Sequence, residues 1–294
     1  MRIAAFGLRI GKPVVSLLIF FASITSGFAA QDRPLEQKLA ALEKVTGKFT
    51  FAVIGDNRTG DDIYRRVIGQ VMERKPAFIV NTGDQIATSG SREQWVNFWE
   101  MSKVVAVPYF FTVGNHDVHP DVAGSEQTYK EQVNLPGNEL YYSFAAGNSL
   151  FVVLDSNVKG EDKKITGEQL EWLEQTLAAS KQRHTFVFVH HPLYPEPGKG
   201  KHFGNSLDRY KDERDRLQAL FVKHRVNTVF LGHEHVYLRK NIDGIRHIVA
   251  GGGGAPLYAK DEDGGFHHYV LLTVDGEKVS GEVVDVNGKV RDKF

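Results

Sequence analysis

Five apolar, strand-like runs in this chain each stop at residues that bind metals or move protons. The plainest is Val226–His235, VNTVFLGHEH, where Val226, Thr228, Val229, Phe230 and Leu231 lead to Gly232 and then to His233 and His235. Phe49–Gly55 ends in Asp56, Phe78–Gly83 in Asp84, and Tyr109–Gly114 in Asn115, His116 and Asp117. Thr185–Val189 ends directly in His190 and His191. In open α/β sheets ligands bind at the carboxyl ends of the strands, so this pattern delivers carboxylates, an amide and imidazoles to one edge. Such mixed oxygen and nitrogen donors suit Mn, Fe, Zn or Co better than Ca or Mg, and imidazole also titrates near neutral pH. The chemistry implied is metal-dependent hydrolysis. The chain has no cysteine, which excludes disulfides and thiolate sites and leaves any metal to His, Asp, Glu or Asn.

The elements that must carry these residues follow from periodicity. After the strand Phe49–Ile54, Asp61–Glu73 repeats Ile63, Val67 and Val71, with Tyr64, Ile68 and Met72 widening the stripe, which predicts a core-facing helix. Phe78–Asn81 is a second strand, Glu93–Met101 a helix packed through Trp95, Phe98 and Trp99, and Tyr109–Val113 a third strand. This alternation implies right-handed crossovers and a mainly parallel sheet. Val118–Glu139 is polar and irregular, and is expected to be a long lid or binding loop above the site. Tyr141–Ala145 and Leu150–Asp155 read as a hairpin across Gly147-Asn148. Thr166 and Gln169 have the spacing of a capping box, ahead of a helix face of Leu170, Leu173 and Leu177. Asp208–His224 is a further helix, and two strand pairs close the chain around Asp243-Gly244 and Asp275-Gly276. Two sheets in one domain with helices outside is the economical arrangement.

The chain is 294 residues long with a formal net charge of zero, so nothing points to a polyanionic partner such as nucleic acid. Residues 1–29 have the plan of a secretory signal peptide. Arg2, Arg9 and Lys12 precede the apolar run Val14–Ile24, and Gly27 and Ala29 stand at the −3 and −1 positions of a cleavage site. The alternative is an uncleaved anchor over Val14–Ala30, against which stands the need for about 20 apolar residues to span a bilayer. Cleavage would leave a periplasmic or secreted protein with no membrane segment. Residues 30–48 are expected to be a short helix with Leu35, Leu39 and Leu42 on one side, or a flexible tether. Residues 49–294 form the domain proper.

In order, Asp56, Asp84, Asn115-His116-Asp117, His190 and His233-x-His235 resemble the sequence blocks of the calcineurin-like metallophosphoesterase family, which includes the purple acid phosphatases. Any one block is weak, but all five occur in sequence over Gly55–His235. The resemblance implies an α/β fold, a four-layer α/β/β/α sandwich of two mixed β-sheets flanked by helices. It implies two metal ions bridged by Asp84, one completed by Asn115, His190 and His233, the other by Asp56 and His235. It gives His116 the general acid's work, which Asp117 next to it would support by orienting the ring. The implied reaction is hydrolysis of a phosphate mono- or diester by a metal-held hydroxide. Divalent metals about 3.5–4 Å apart neutralise the phosphoryl oxygens that otherwise repel a nucleophile.

One position departs from the family pattern. Where many members have a histidine ligand two residues after the first Asp, this chain has Arg58, and where the purple acid phosphatases have a tyrosine it has Ala87. A guanidinium has no lone pair for a metal. Water or another side chain could fill the gap, the first site could bind weakly, or Arg58 could clamp phosphate in part of the metal's place. Two metals remain the expectation, because Asp56 and His235 would otherwise have no role. The competing readings are a single-metal phosphatase and a catalytically weak phosphate- or metal-binding protein on the same scaffold. His119, His202, His267 and His268 could reach the rim but read as ordinary surface or core histidines, His191 reads as packing or hydrogen-bonding, and Gly251–Gly254 as either a backbone approach to the site or a plain turn. No nucleophile elbow is visible. The loops Val118–Glu139 and Pro195–Ser206, on which mono- versus diester preference is expected to depend, carry no recognisable pattern, so the substrate, small or macromolecular, and the oligomeric state are unmarked.

Overall fold

A computed structural model describes residues 31–294; the expected signal peptide lies outside the described residues. Six strands form each of two mixed sheets. The first contains β1 (Phe49–Ile54), β2 (Phe78–Asn81) and β3 (Tyr109–Phe111) in parallel. It continues from β1 through β10 (His268–Asp275), β11 (Lys278–Asp285) and β12 (Val290–Lys293), all antiparallel. The second runs β4 (Tyr142–Ala146), β5 (Ser149–Leu154), β6 (His184–Val189), β7 (Thr228–Leu231), β9 (Ile245–Ala250), β8 (Tyr237–Ile242), parallel from β5 to β9.

Side-chain alternation along the strands builds the layers. Phe151 and Val153 of β5, Phe186 and Phe188 of β6 and Phe230 of β7 point into the core shared with the first sheet. Their neighbours Val152, Leu154, Val187, Val189, Val229 and Leu231 point the other way, onto Leu170, Leu173 and Leu177 of α5 (Gly167–Ala179) and Leu217, Leu220 and Phe221 of α6 (Lys211–Lys223). On the opposite side α2 (Asp61–Glu73) and α3 (Arg92–Ser102) cover the first sheet through Tyr64, Val67, Ile68, Val71, Trp95 and Phe98. The result is the four-layer α/β/β/α sandwich. Phenylalanines lock the sheets face to face: Phe78 and Phe151 have ring centroids 4.9 Å apart, and Phe110 and Phe144 stack at 4.0 Å. Each such aromatic pair adds about 0.5–1.5 kcal/mol beyond the area it buries.

Four sequence expectations need correction. Val118–Glu139 is not a structureless lid: it contains α4 (Ser125–Gln132), and Tyr129, Val133 and Leu135 are buried. The capping box does not form. Thr166 caps no backbone N–H of α5, and the Gln169 amide instead bonds the N–H and carbonyl of Asp155, both at 2.8 Å. Residues 30–48 do hold a helix, α1 (Leu35–Leu42), but Leu39 is exposed and the fully buried residue is Lys38. Its ammonium pairs with Asp32 and donates to the Tyr109 carbonyl at 2.7 Å, which ties this segment to β3. The first sheet is also less parallel than expected, because β10 to β12 extend it antiparallel.

Candidate metal centre

Because β1, β2 and β3 are parallel, as are β6 and β7, their carboxyl ends lie at one edge. The chain leaves them through turns so tight that three non-glycine residues adopt left-handed backbone: Asp56 (φ 55°), Asp84 (φ 61°) and His233 (φ 67°). Such strain concentrates at functional sites. Glycines at these strand ends leave room for the cluster, and Gly83 also takes a positive φ (108°). A Cβ on Gly83 would lie 2.4 Å from His190 Nδ1, and one on Gly114 would lie 2.3 Å from Asp84 Oδ1.

The side chains converge. His190 donates its Nδ1–H to the Thr82 carbonyl at 2.8 Å, so in the neutral ring Nε2 carries a lone pair. That lone pair faces Asn115 Oδ1 at 3.1 Å and Asp84 Oδ1 at 3.4 Å. His235 is held the same way by the Pro256 carbonyl at 2.7 Å, and its Nε2 lies 3.6 Å from Asp56 Oδ1. Ligand atoms of Asp56, Asp84 and His235 all fall within 4.8 Å of one another. The His233 backbone N–H donates to both Asp56 oxygens at 3.0 Å, and its ring centroid is 5.1 Å from that of His190. The Tyr258 hydroxyl lies 3.3 Å from His235 Nε2 and can donate to it, but the lone pairs of Asn115, Asp84, Asp56 and the two imidazoles still converge, and a cation satisfies such a set. The residues present fit metal binding, with carbonyls behind the imidazoles fixing their tautomers.

The electrostatics agree. Burial drives His190 and His233 below the usual imidazole range, and His235 down to about 4, so the rings favour the neutral, ligating form. Burial and then the charge of Asp84 push Asp56 well above the ordinary carboxylate value. Burial also acts against ionised Asp84, but His190, His116 and Arg58 together outweigh it and hold that group low. Two buried carboxylates this close repel, and bound cations would relieve them.

His116 stands beside this cluster, half-buried. Its N–H donates to Asp84 Oδ1 at 3.0 Å and its ring Nδ1 donates to the Ala87 carbonyl at 2.7 Å. Asp117 does not orient that ring. Its carboxylate lies under the loops and accepts the backbone N–H groups of Gly114, Asp84, Gln85 and Ile86 at 2.8 to 3.2 Å. The reason is local: with Gly114, Asn115 and His116 in a turn, the side chain of Asp117 folds back onto Gly114. Arg58 is at the site and is no ligand; its Nε donates to Asp84 Oδ2 at 3.1 Å.

Three further residues reach the centre, and of these only His202 stood out in sequence, as a histidine that could reach the rim. His202 Nδ1 lies 3.1 Å from His233 Nε2, because Glu234 accepts the N–H groups of Lys201 and His202 at 2.7 and 2.8 Å and ties their loop down. Tyr258 stacks on His235 at 4.0 Å, under the Lys201 ammonium. The only clue to Glu234 was its place inside His-x-His. The glycine run is a backbone approach rather than a plain turn: Gly253 donates to the Gly55 carbonyl at 2.8 Å, and a Cβ on Gly251 would lie 3.0 Å from Asp56 Oδ2.

A two-sheet sandwich with aspartates, an amide and histidines meeting at its strand ends defines a metallo-hydrolase class of site. Residues 49–237 match the family model for the calcineurin-like phosphoesterases, and the chain belongs to that family. It is 26% identical over 264 residues to purple acid phosphatase 23 of Arabidopsis thaliana, covering 77% of this chain and 53% of the relative. It is 30% identical over 220 residues to the serine/threonine-protein phosphatase CPPED1 of Rattus norvegicus, covering 70% and 66%. This chain thus spans between about half and two thirds of the length of these curated relatives. The purple acid phosphatase PPD1 from yellow lupin seeds shares the fold, with a TM-score of 0.71 at 20% identity over 85% of this chain and 53% of that one.

Proposed function

We propose that the protein is an exported phosphoesterase that cleaves P–O bonds at a dinuclear metal centre. The observation that carries this is the convergence of oxygen and nitrogen ligand atoms around Asp84, with His190 Nε2 on Asn115 and Asp84 and His235 Nε2 on Asp56. Asn115, His190 and His233 would hold one ion, Asp56 and His235 the other, with Asp84 between them. Ions so held would neutralise phosphoryl oxygens and supply a nucleophile from water at neutral pH.

The chain's own residues do the rest. Ala87 fixes the His116 ring by accepting Nδ1–H, which leaves Nε2 to carry a proton and release it to the departing alkoxide. His202, Tyr258 and Glu234 hold the two histidines of β7's loop and close the wall behind them. A proton donor poised beside the ligands favours an enzyme over a passive phosphate binder. Export rests on the composition of residues 1–29 alone. The test is metal analysis of the purified protein, followed by assays of mono- and diesters with Mn, Fe, Zn and Co. Bound metal with no turnover of any ester would leave only the binding scaffold.

A further inference from the structure

Arg58 occupies the position where many family members have a neutral histidine, and it brings a permanent positive charge to the carboxylate that both halves of the centre share. Asp84 Oδ1 faces His190 and the His116 N–H, while Oδ2 takes the Arg58 Nε–H. That contact uses one of the guanidinium's five N–H groups. Among the described residues the Arg58 side chain makes no other hydrogen bond, although only 16% of it is exposed. It also borders a cavity of about 210 Å³ with Asn57, Thr59, Gln85 and Ala87. Ala87 is the residue whose carbonyl holds the His116 ring. A fixed, largely buried guanidinium with its Nη groups uncommitted is a built clamp for an oxyanion.

We propose that Arg58 is a substrate-contacting residue that selects phosphate monoesters over diesters. The proposal rests on the phosphoesterase reading and deepens it. The argument is a count of oxygens. A monoester has three terminal phosphoryl oxygens and nearly two negative charges at neutral pH. A diester has two such oxygens and one charge. With two terminal oxygens turned to the ions that Asp84 and its neighbours would hold, a monoester would have one more, and Arg58 takes it through Nη while Nε stays on Asp84. In a diester the third position is an ester oxygen with a carbon substituent, which has little charge to offer and puts bulk against the guanidinium.

The test compares kcat/KM for 4-nitrophenyl phosphate and bis(4-nitrophenyl) phosphate in the parent, Arg58→Gln and Arg58→Lys proteins, with metal content and inorganic phosphate binding measured on each. Expected is a parent that favours the monoester. Arg58→Gln should lose roughly ten- to a hundredfold on the monoester, the size of a hydrogen bond to a charged group. It should lose far less on the diester and bind phosphate more weakly. Arg58→Lys, which keeps the charge without the fork, should fall between. Equal losses on both esters would reduce Arg58 to a support for Asp84 and overturn the proposal, as would an unchanged monoester rate. A parent that hydrolyses neither ester would sink the hydrolase reading instead. The phosphate isotherms would then decide on Arg58 alone, weakened binding in Arg58→Gln supporting the clamp and equal binding refuting it.

Discussion

The two sheets contribute opposite chemistry to the centre. The loops after β1, β2 and β3 bring the oxygen groups of Asp56, Asp84 and Asn115 to the cluster, while those after β6 and β7 bring the imidazoles of His190, His233 and His235. Their supports are opposite too. The carboxylates are oriented by backbone N–H groups, from His233 to Asp56 and from His116 to Asp84, and the imidazoles by backbone carbonyls, Thr82 for His190 and Pro256 for His235. Two of these supports cross between sheets, since Thr82 belongs to the oxygen side and His233 to the nitrogen side. Neither half is therefore pre-formed alone. The phenylalanine core that spaces the sheets also spaces the donors, and the difference teaches that the site is a property of the inter-sheet seam.

Changes at the seam should do most damage. Asp84 is touched by both halves, so Asp84→Asn removes a charge that no neighbour replaces. Loss of the metals' stabilisation, worth several kcal/mol, should lower kcat/KM by about a thousandfold or more, with elemental analysis showing metal depletion. Retention of full metal content would break the idea that this carboxylate is shared. His116→Asn tests the oxygen half differently, because the ring lies beside the donors. Its kcat should fall by about 10²–10⁴-fold with metal content intact. Metal loss would move His116 into the ligand set.

On the nitrogen side, His202→Ala removes the group 3.1 Å from His233 Nε2. Outer partners of ligating histidines are worth roughly 10–100-fold in metal affinity, and titration of metal into the apo-protein should show a loss in that range. An unchanged affinity would make His202 a loop residue that merely passes close by.

The two halves also differ from their supports in how well they could be read beforehand. Each converging residue follows an apolar run, and a strand's end is a local property, so the meeting of Asp56, Asp84, Asn115, His190, His233 and His235 at one edge was legible. So were most strands and α2, α3, α5 and α6, whose apolar spacing faces a sheet, the first for α2 and α3 and the second for α5 and α6. What lay hidden depends on contacts between residues distant in sequence. His202 and Tyr258 reach the centre only because Glu234 and the histidine rings draw their loops in. Asp117 looked like a partner for His116, yet four nearby N–H groups claim its carboxylate. Gln169 matched a capping motif but serves Asp155 across the loop. The burial of Lys38 on α1 was not legible, because charge complementarity with Asp32 leaves no periodic trace. The short β12 went unread although Asn287-Gly288 ahead of it is a hairpin turn signal, because its own residues, Val290–Lys293, are mostly charged.

The last prediction uses a histidine of the nitrogen-rich sheet that lies away from the seam. His247 on β9 is buried; its Nε2–H donates to Gln218 Oε1 at 3.1 Å, and Nδ1 has no partner among the described residues. Burial, and secondarily the charge of Lys240, lower it from 6.5 to about 4. Above pH 6.5 the ring is neutral whether the chain is folded or not, and it contributes no pH dependence. Between 6.5 and about 4 the unfolded chain takes up a proton that the folded one refuses, so stability falls as the pH drops. Below about 4 both states are protonated and the loss levels off, on the order of 3 kcal/mol in all. His247→Gln, which keeps a donor for Gln218, should flatten that part of the stability curve in urea titrations between pH 7 and pH 4, while ester hydrolysis at neutral pH stays as in the parent. An acid limb as steep as the parent's would shift the acid sensitivity to the seam itself, where carboxylates and imidazoles face each other across the two sheets.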